Sequence, residues 1–252
     1  MLRYRLIPCL LLDERRLVKT KKFKNPRYVG DPINTVKIFN EKEVDEIILI
    51  DINASKKNLS PNYKMIEEVA SECFIPLCYG GGIRSVEDAR RLFEIGVEKV
   101  SVQTGAYVQD ELINEISSRY GSQSVVASID VKTDIIGRKF PYITSRKKYI
   151  KTNISDYIKQ QVENGAGEIL INSIYNDGMM SGMDLGLISS IVNNCPVPII
   201  FMGGVGDIND IKAAIEQGAQ AIAAGSFFVF YGPHKGVLIS YPKTEVLNKL
   251  VG

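Results

Sequence analysis

The chain has little that would point to metal or histidine chemistry. Histidine occurs once in 252 residues, as His234 in the turn-rich stretch YGPHKG, where it reads as a loop residue and not as a catalyst. The four cysteines, Cys9, Cys73, Cys78 and Cys195, show no metal-ligand spacing. Cys9 and Cys78 lie in apolar runs, where a reduced, buried thiol is the expected state. An excess of one charge is also lacking: the formal net charge is +2, so nothing global indicates nucleic acid or an anionic membrane as a partner. No apolar run approaches membrane-spanning length, and no signal-peptide stretch opens the sequence, so the cytoplasm is the expected location. No linker or low-complexity segment divides the chain, which reads as one domain over 1–252.

What the chain does have is a repeat. IPLCYGGGIRSVEDARRLFEIG, from Ile75, is echoed by VPIIFMGGVGDINDIKAAIEQG, from Val197. Pro76 and Pro198, Gly81 and Gly203, Asp88 and Asp210, Gly96 and Gly218, and Thr104 and Ser226 all stand 122 residues apart. Self-similarity without gaps implies two similar halves, about 1–122 and 123–252. Each copy reads as a buried strand, a glycine turn, an amphipathic helix and a second strand. Ser85 and Asp207 have the character of N-caps, and Gly96 and Gly218 that of helix stops.

Across the chain this pattern predicts strands at Arg5–Leu11, Glu46–Asp51, Ile75–Tyr79, Lys99–Val102, Val125–Asp130, Glu168–Asn172, Pro198–Met202 and Ala221–Ala224. Helices are predicted at Ile33–Lys42, Tyr63–Glu72, Val86–Phe93, Glu111–Ser118, Ile154–Glu163, Leu185–Val192 and Ile208–Ile215, with a short one near Glu245–Leu250. Eight alternating pairs in a chain of this length predict the α/β class and a (β/α)8 TIM barrel built from two half-barrels; an open doubly wound sheet is the competing architecture. Two stretches, Leu12–Pro32 and Lys132–Thr152, are expected to be long polar loops at the mouth, where barrel active sites are built.

Glycine turns at Gly81–Gly82 and Gly203–Gly204 let backbone N–H groups approach an anion, with Thr104 and Ser226 supplying hydroxyls and the helices begun at Ser85 and Asp207 supplying positive ends. Repeated in both halves, this implies a substrate with a phosphate at each end. Carboxylates at strand ends are candidates for proton transfer: Asp130 first, then Asp51, each with the alternative of a structural bond to a loop amide, while Asp177, in an Asn-Asp-Gly sequence, is read first as a turn-former. Lys19 is a counter-charge able to adjust their pKa. Arg5, Glu46, Lys99 and Glu168 begin their strands with alternating sign and should ring the opposite rim; on spacing alone they read as a structural salt-bridge layer.

The segments RLIPCL, NPRYVGDP, ILIDINAS, YGGGIRSVEDA, EKVSVQT, GSQSVVASID, NGAGEILINSI, NDG–SG and GGVG resemble the cyclase subunit of imidazole glycerol phosphate synthase (HisF), from Met1 to about Phe228. The resemblance implies a lyase-type enzyme without a cofactor or metal, heterodimeric with a HisH-like glutaminase. Ammonia would cross the barrel and close the imidazole ring of a two-phosphate ribulosyl substrate. It further implies that Asp130 is the catalytic base and that Gly82, Thr104, Gly204, Gly225 and Ser226 hold phosphate, with Lys19, Gly81, Asp177 and Gly203 beside them. The same resemblance turns Arg5, Glu46, Lys99 and Glu168 into an ammonia gate. Against the family pattern, Leu11 replaces the second catalytic aspartate, Gln103 an asparagine, Asn172 a threonine and Thr20 a glycine. HisF-like relatives of altered activity are associated with acetamidino modification of bacterial surface sugars, and the chain is expected to be a divergent member of this kind.

Overall fold

The computed structural model describes residues 4–248. Its core is a closed ring of eight parallel strands: β1 (Arg5–Asp13), β2 (Ile47–Asp51), β3 (Leu77–Gly80), β4 (Lys99–Val102), β5 (Val125–Thr133), β6 (Glu168–Ser173), β7 (Ile199–Met202) and β8 (Ala221–Ala224). Each strand pairs with the next, and β8 returns to β1 in the register Arg5↔Ala221 to Pro8↔Ala224, which closes the barrel. The predicted (β/α)8 barrel is what is found, and the open sheet is excluded by that closure.

The strands alternate between two apolar environments, as a period-two backbone requires. Leu6, Leu10 and Leu12 of β1 belong to the large cluster between strands and helices. Ile7 and Cys9 turn inward, where Ile48, Cys78, Val126, Leu170, Ile200, Ala221 and Ala223 fill the barrel interior and Leu11, Ile50 and Met202 sit above them. The bore is a packed column, not a water-filled pore. All four cysteines are free, with Cys9 and Cys78 buried.

The helices packed outside are α1 (Pro32–Glu41), α2 (Tyr63–Ala70), α3 (Val86–Ile95), α4 (Leu112–Tyr120), α5 (Ile154–Glu163), α6 (Leu185–Ile191), α7 (Ile208–Glu216) and the short α8 (Thr244–Asn248). The rest of the predicted eighth helix, through Leu250, lies outside the described residues. Both capping expectations hold: Ser85 and Asp207 each head a reciprocal capping box, closed by Asp88 and Asp210 three residues on. Gly96 ends α3 in the left-handed region at φ 105°, and Gly218, at φ 97°, follows the last turn of α7.

The two stretches expected to be loops are antiparallel extensions of the barrel. β1 runs on to pair with Arg16–Lys21, which pairs with Lys24–Gly30. β5 runs on to pair with Lys139–Ile143, which pairs with Lys148–Tyr149. Their lysines and arginines make them read as loops, although long cationic side chains can lie along a sheet with their heads in water. Two short helical turns, Thr104–Val108 and Ser226–Val229, also follow β4 and β8.

Candidate functional site

At the C-terminal ends of the strands a cavity opens, about 1300 Å³ counting the space open to solvent at its mouth. The sequence candidates Lys19, Gly81, Gly82, Thr104, Asp130, Asp177, Gly203, Gly204, Gly225 and Ser226 all line it. So do Gln103, noted in the sequence as a departure from the family pattern, and Ser55, Lys56, Thr144 and Ser145, which were not picked out there. The last two lie in the stretch Lys132–Thr152, expected from the sequence only to be a long polar loop.

Asp130 is 7% exposed at the cavity wall. Burial pushes its carboxyl up to about 6, against the pull of hydrogen bonds from Thr144 and Gln103. Thr144 Oγ1 donates to Oδ2 of Asp130. The group is therefore mostly ionised at neutral pH but far easier to protonate than an ordinary aspartate, which suits a carboxyl that takes and returns a proton. Asp177 is also pushed up to about 6, first by burial, with Lys19 opposing. Its carboxylate accepts from Thr20 Oγ1 at 3.3 Å, and its carbonyl accepts from the Lys22 N–H at 2.9 Å. Its own N–H donates to the Ser173 carbonyl at 3.0 Å, so it is the turn residue expected and a cavity residue as well.

Asp51 takes the structural alternative. Its Oδ1 accepts from the backbone N–H groups of Asn53 and Ala54, at 2.8 and 2.9 Å. Leu11 takes the inward-facing place on β1 above Cys9 and lines the cavity with an apolar side chain. Asp13, the next inward position, accepts from Asn53 Nδ2 at 2.6 Å. Strand period rules out Asp13 for the place of Leu11, because two residues along a strand span about 6–7 Å.

The anion sites are built differently from the expectation in one respect. The positive ends of α3 and α7 are already occupied: Asp88 Oδ2 accepts from the N–H groups of Arg84 and Ser85, and Asp210 Oδ2 from those of Gly206 and Asp207. Each helix end is thus capped by its own side chains, with Ser85 Oγ accepting from the Asp88 N–H and Asp207 Oδ1 from those of Asn209 and Asp210. What remains at each place is a glycine turn and a hydroxyl. The Gly82 N–H donates to Ser55 Oγ at 3.2 Å, and the Thr104 and Ser145 hydroxyls share a hydrogen bond of 2.7 Å. On the other side Gly204 has φ 105°, and a Cβ there would stand 2.0 Å from the Gly182 carbonyl oxygen. Only glycine fits that turn. Lys19 is 5% exposed and donates to the Cys9 carbonyl. A Cβ on Gly225 would stand 2.3 Å from Lys19 Nζ, so the glycine makes room for the ammonium group beside Ser226. Burial lowers the Lys19 pKa, with Cys9 and Asp177 raising it.

At the opposite end the four charges close a ring. Arg5 pairs with Glu46 at 2.9 Å and with Glu168, and Lys99 pairs with Glu46 and Glu168 at 2.9 Å each. Glu46, which stands one residue before β2, has an Oε1 that is buried with no donor. Burial raises its pKa, while Lys99 and Arg5 pull the other way. His234 lies exposed in the turn between Phe230–Tyr231 and Gly236–Val237 and does not line the cavity. Among the described residues no cluster of histidine, cysteine and carboxylate groups has the geometry to hold a metal ion, and no helix is long and apolar enough to cross a membrane.

A closed parallel barrel with its candidate residues gathered at the strand C-termini places this chain among the ligand-binding (β/α)8 barrels. The family model for histidine biosynthesis proteins matches residues 5–235, and the chain belongs to that family as a HisF-like member. It is 50% identical over 249 residues to a provisionally named imidazole glycerol phosphate synthase subunit, hisF2, of Pseudomonas aeruginosa, covering 98% of this chain and 99% of that one. It is 47% identical to a provisionally named hisF3 subunit of Vibrio vulnificus, covering 99% and 96%. With the HisF subunit of Thermobifida fusca the identity is 40%, covering 90% of each chain.

Proposed function

We propose that this chain is the barrel subunit of a glutamine-dependent synthase, receiving ammonia through its bore and delivering it to a two-phosphate ribulosyl substrate in the cavity. The observation that carries this reading is the closed ring of Arg5, Glu46, Lys99 and Glu168 beneath a dry apolar column that ends at Asp130. Apolar packing between the two ends favours a small neutral molecule over an ion, whose desolvation is costly. Two half-barrels, about 1–122 and 123–252 of one domain, would each supply one phosphate grip: Gly81, Gly82 and Thr104 from the first, Gly203, Gly204, Gly225 and Ser226 from the second, with Lys19 and Asp177 beside the latter. A HisH-like glutaminase docked under the ring would supply the ammonia, with the complex working in the cytoplasm. Asp130 holds and moves the proton at the reacting carbon skeleton.

The chemistry above the grips is altered. Leu11 lines the cavity where the family pattern has an acid, Gln103 bonds Asp130, and Asn172 is in register with Asp130 on the neighbouring strand. These three departures, with Thr20 as a fourth, all line the cavity that holds Asp130 and Asp177, while the four charges of the ring are all present. That clustering favours a second reading, a paralogue that conducts ammonia without closing a ring, as in acetamidino modification of surface sugars. The higher identities to relatives numbered hisF2 and hisF3 agree with it. The deciding experiment supplies ammonium chloride and the two-phosphate ribulosyl substrate to the purified chain. Ring closure that is slow and abolished by Asp130→Asn supports the synthase reading. No ring closure at all supports the paralogue.

A further inference from the structure

The near-neutral net charge conceals an uneven distribution. Residues 132–151 carry seven basic side chains against one acidic, so the other residues sum to −4. This segment is the hairpin that extends β5. At its tip Ile135 is 103% exposed and Ile136 67%. The tip is a built turn: Asp134 Oδ1 accepts from the N–H groups of Ile136 and Arg138, at 3.0 and 2.9 Å, and Asp134 Oδ2 accepts from Arg138 Nε at 2.8 Å. The Asp134 N–H donates to the Arg138 carbonyl at 2.8 Å. Five residues are thus tied down to hold two isoleucines in water.

These isoleucines do not serve the cavity. The tip stands four to six residues along the strand from Asp130, on the order of 13–20 Å, and neither isoleucine lines the cavity. Behind the tip, Lys132 lies over the rings of Tyr142 and Tyr149, at 4.1 and 5.2 Å from their centroids. Lys139 is bound to Asp184. Arg146, Lys147 and Lys151 are exposed and, among the described residues, make no ion pair. Arg138 and Lys139 stand beside the tip in ion pairs with Asp134 and Asp184, while Arg146, Lys147 and Lys151 lie at the other end of the hairpin. An apolar tip thus ends an arm that is cationic along its length and fits a surface that is negative outside and apolar within.

We infer that this hairpin docks the barrel reversibly on an anionic bilayer, with Ile135 and Ile136 entering the headgroup–acyl boundary and the lysines and arginines meeting lipid phosphate. A protein partner fits less well, because two side chains fall far short of the roughly 1,600 Å² that a specific protein interface buries. An interfacial anchor needs only a few apolar groups backed by basic residues near the surface.

The test is co-sedimentation of the full chain with vesicles of phosphatidylglycerol and phosphatidylcholine in equal parts, at 50 mM salt. Binding is expected to fall at least tenfold on pure phosphatidylcholine, at least tenfold at 500 mM salt, and at least fivefold in the Ile135→Ser/Ile136→Ser variant. Both substitutions are at exposed positions, and a circular dichroism spectrum and thermal midpoint equal to the parent's confirm the fold. A chain that stays in the supernatant with the anionic vesicles overturns the inference. Binding that responds to salt but not to the serine variant reduces the contact to charge alone and overturns it as well.

Discussion

Leu11 puts an apolar side chain in the cavity that also holds Asp130, where the family resemblance leads one to expect an acid. If Leu11 is what limits ring closure, Leu11→Asp should raise turnover of the two-phosphate ribulosyl substrate with ammonium chloride by on the order of 10²-fold, the scale of one general acid. An unchanged rate would place the limit in Gln103 or Asn172 instead. A second expectation concerns stability. The folded pKa of Asp130, about 6, stands above the ordinary aspartate value. The folded state then binds the proton more tightly, so the contribution of this group is favourable below about pH 4 and is lost as pH rises through 6. Two units correspond to about 3 kcal/mol as an upper bound. Asp130→Asn should therefore raise the thermal midpoint at pH 7.5 relative to the parent, with the difference vanishing near pH 4. The importance of Asp130 is legible in the sequence because the residue closes an apolar run. Its partner Thr144 is not, because it lies 14 residues on and a hairpin brings it back.

Elements were legible wherever period and punctuation agree. The two capping boxes, Ser85 with Asp88 and Asp207 with Asp210, mark both helix starts in the sequence, and the structure realises both. The same carboxylates then take up the helix ends that were expected to face an anion, which spacing alone does not reveal. The cationic hairpins were the harder case: RLVKTK buries four residues in a row, Leu17 to Thr20, with no alternation, and its lysines read as loop. Between glycines the structure also distinguishes need from convenience. Gly204→Ala meets the Gly182 carbonyl at 2.0 Å, whereas Gly96→Ala, also left-handed at φ 105°, meets nothing within 4 Å. Gly204→Ala should lower stability by about 3 kcal/mol or more and abolish phosphate-ester binding, and Gly96→Ala should cost about 1 kcal/mol and leave binding intact. Chemical denaturation paired with calorimetric titration of a sugar bisphosphate separates the two.

For the whole molecule, the repeat of 122 residues made the barrel readable before any coordinate. The strand starts likewise placed Arg5, Glu46, Lys99 and Glu168 on one rim, and the ion pairs among them close the ring expected there. If the ring admits ammonia, Lys99→Ala and Arg5→Ala should change glutamine-dependent turnover in complex with a glutaminase several-fold while leaving turnover on added ammonium chloride within about twofold. Equal effects on both would make the ring structural. The closing seam has a consequence of another kind. β1 pairs with β2 on one edge and with β8 on the other, and the segment after β8 returns to β1, where Tyr241 bonds the Leu6 carbonyl and Tyr4 the Leu247 carbonyl. During translation the first strand must wait with one side bare until some two hundred further residues have been made, roughly 10–40 s at bacterial rates. The nascent chain thus spends most of its synthesis with an open sheet edge, and its vulnerability to aggregation is greatest before the ribosome has released its last residues.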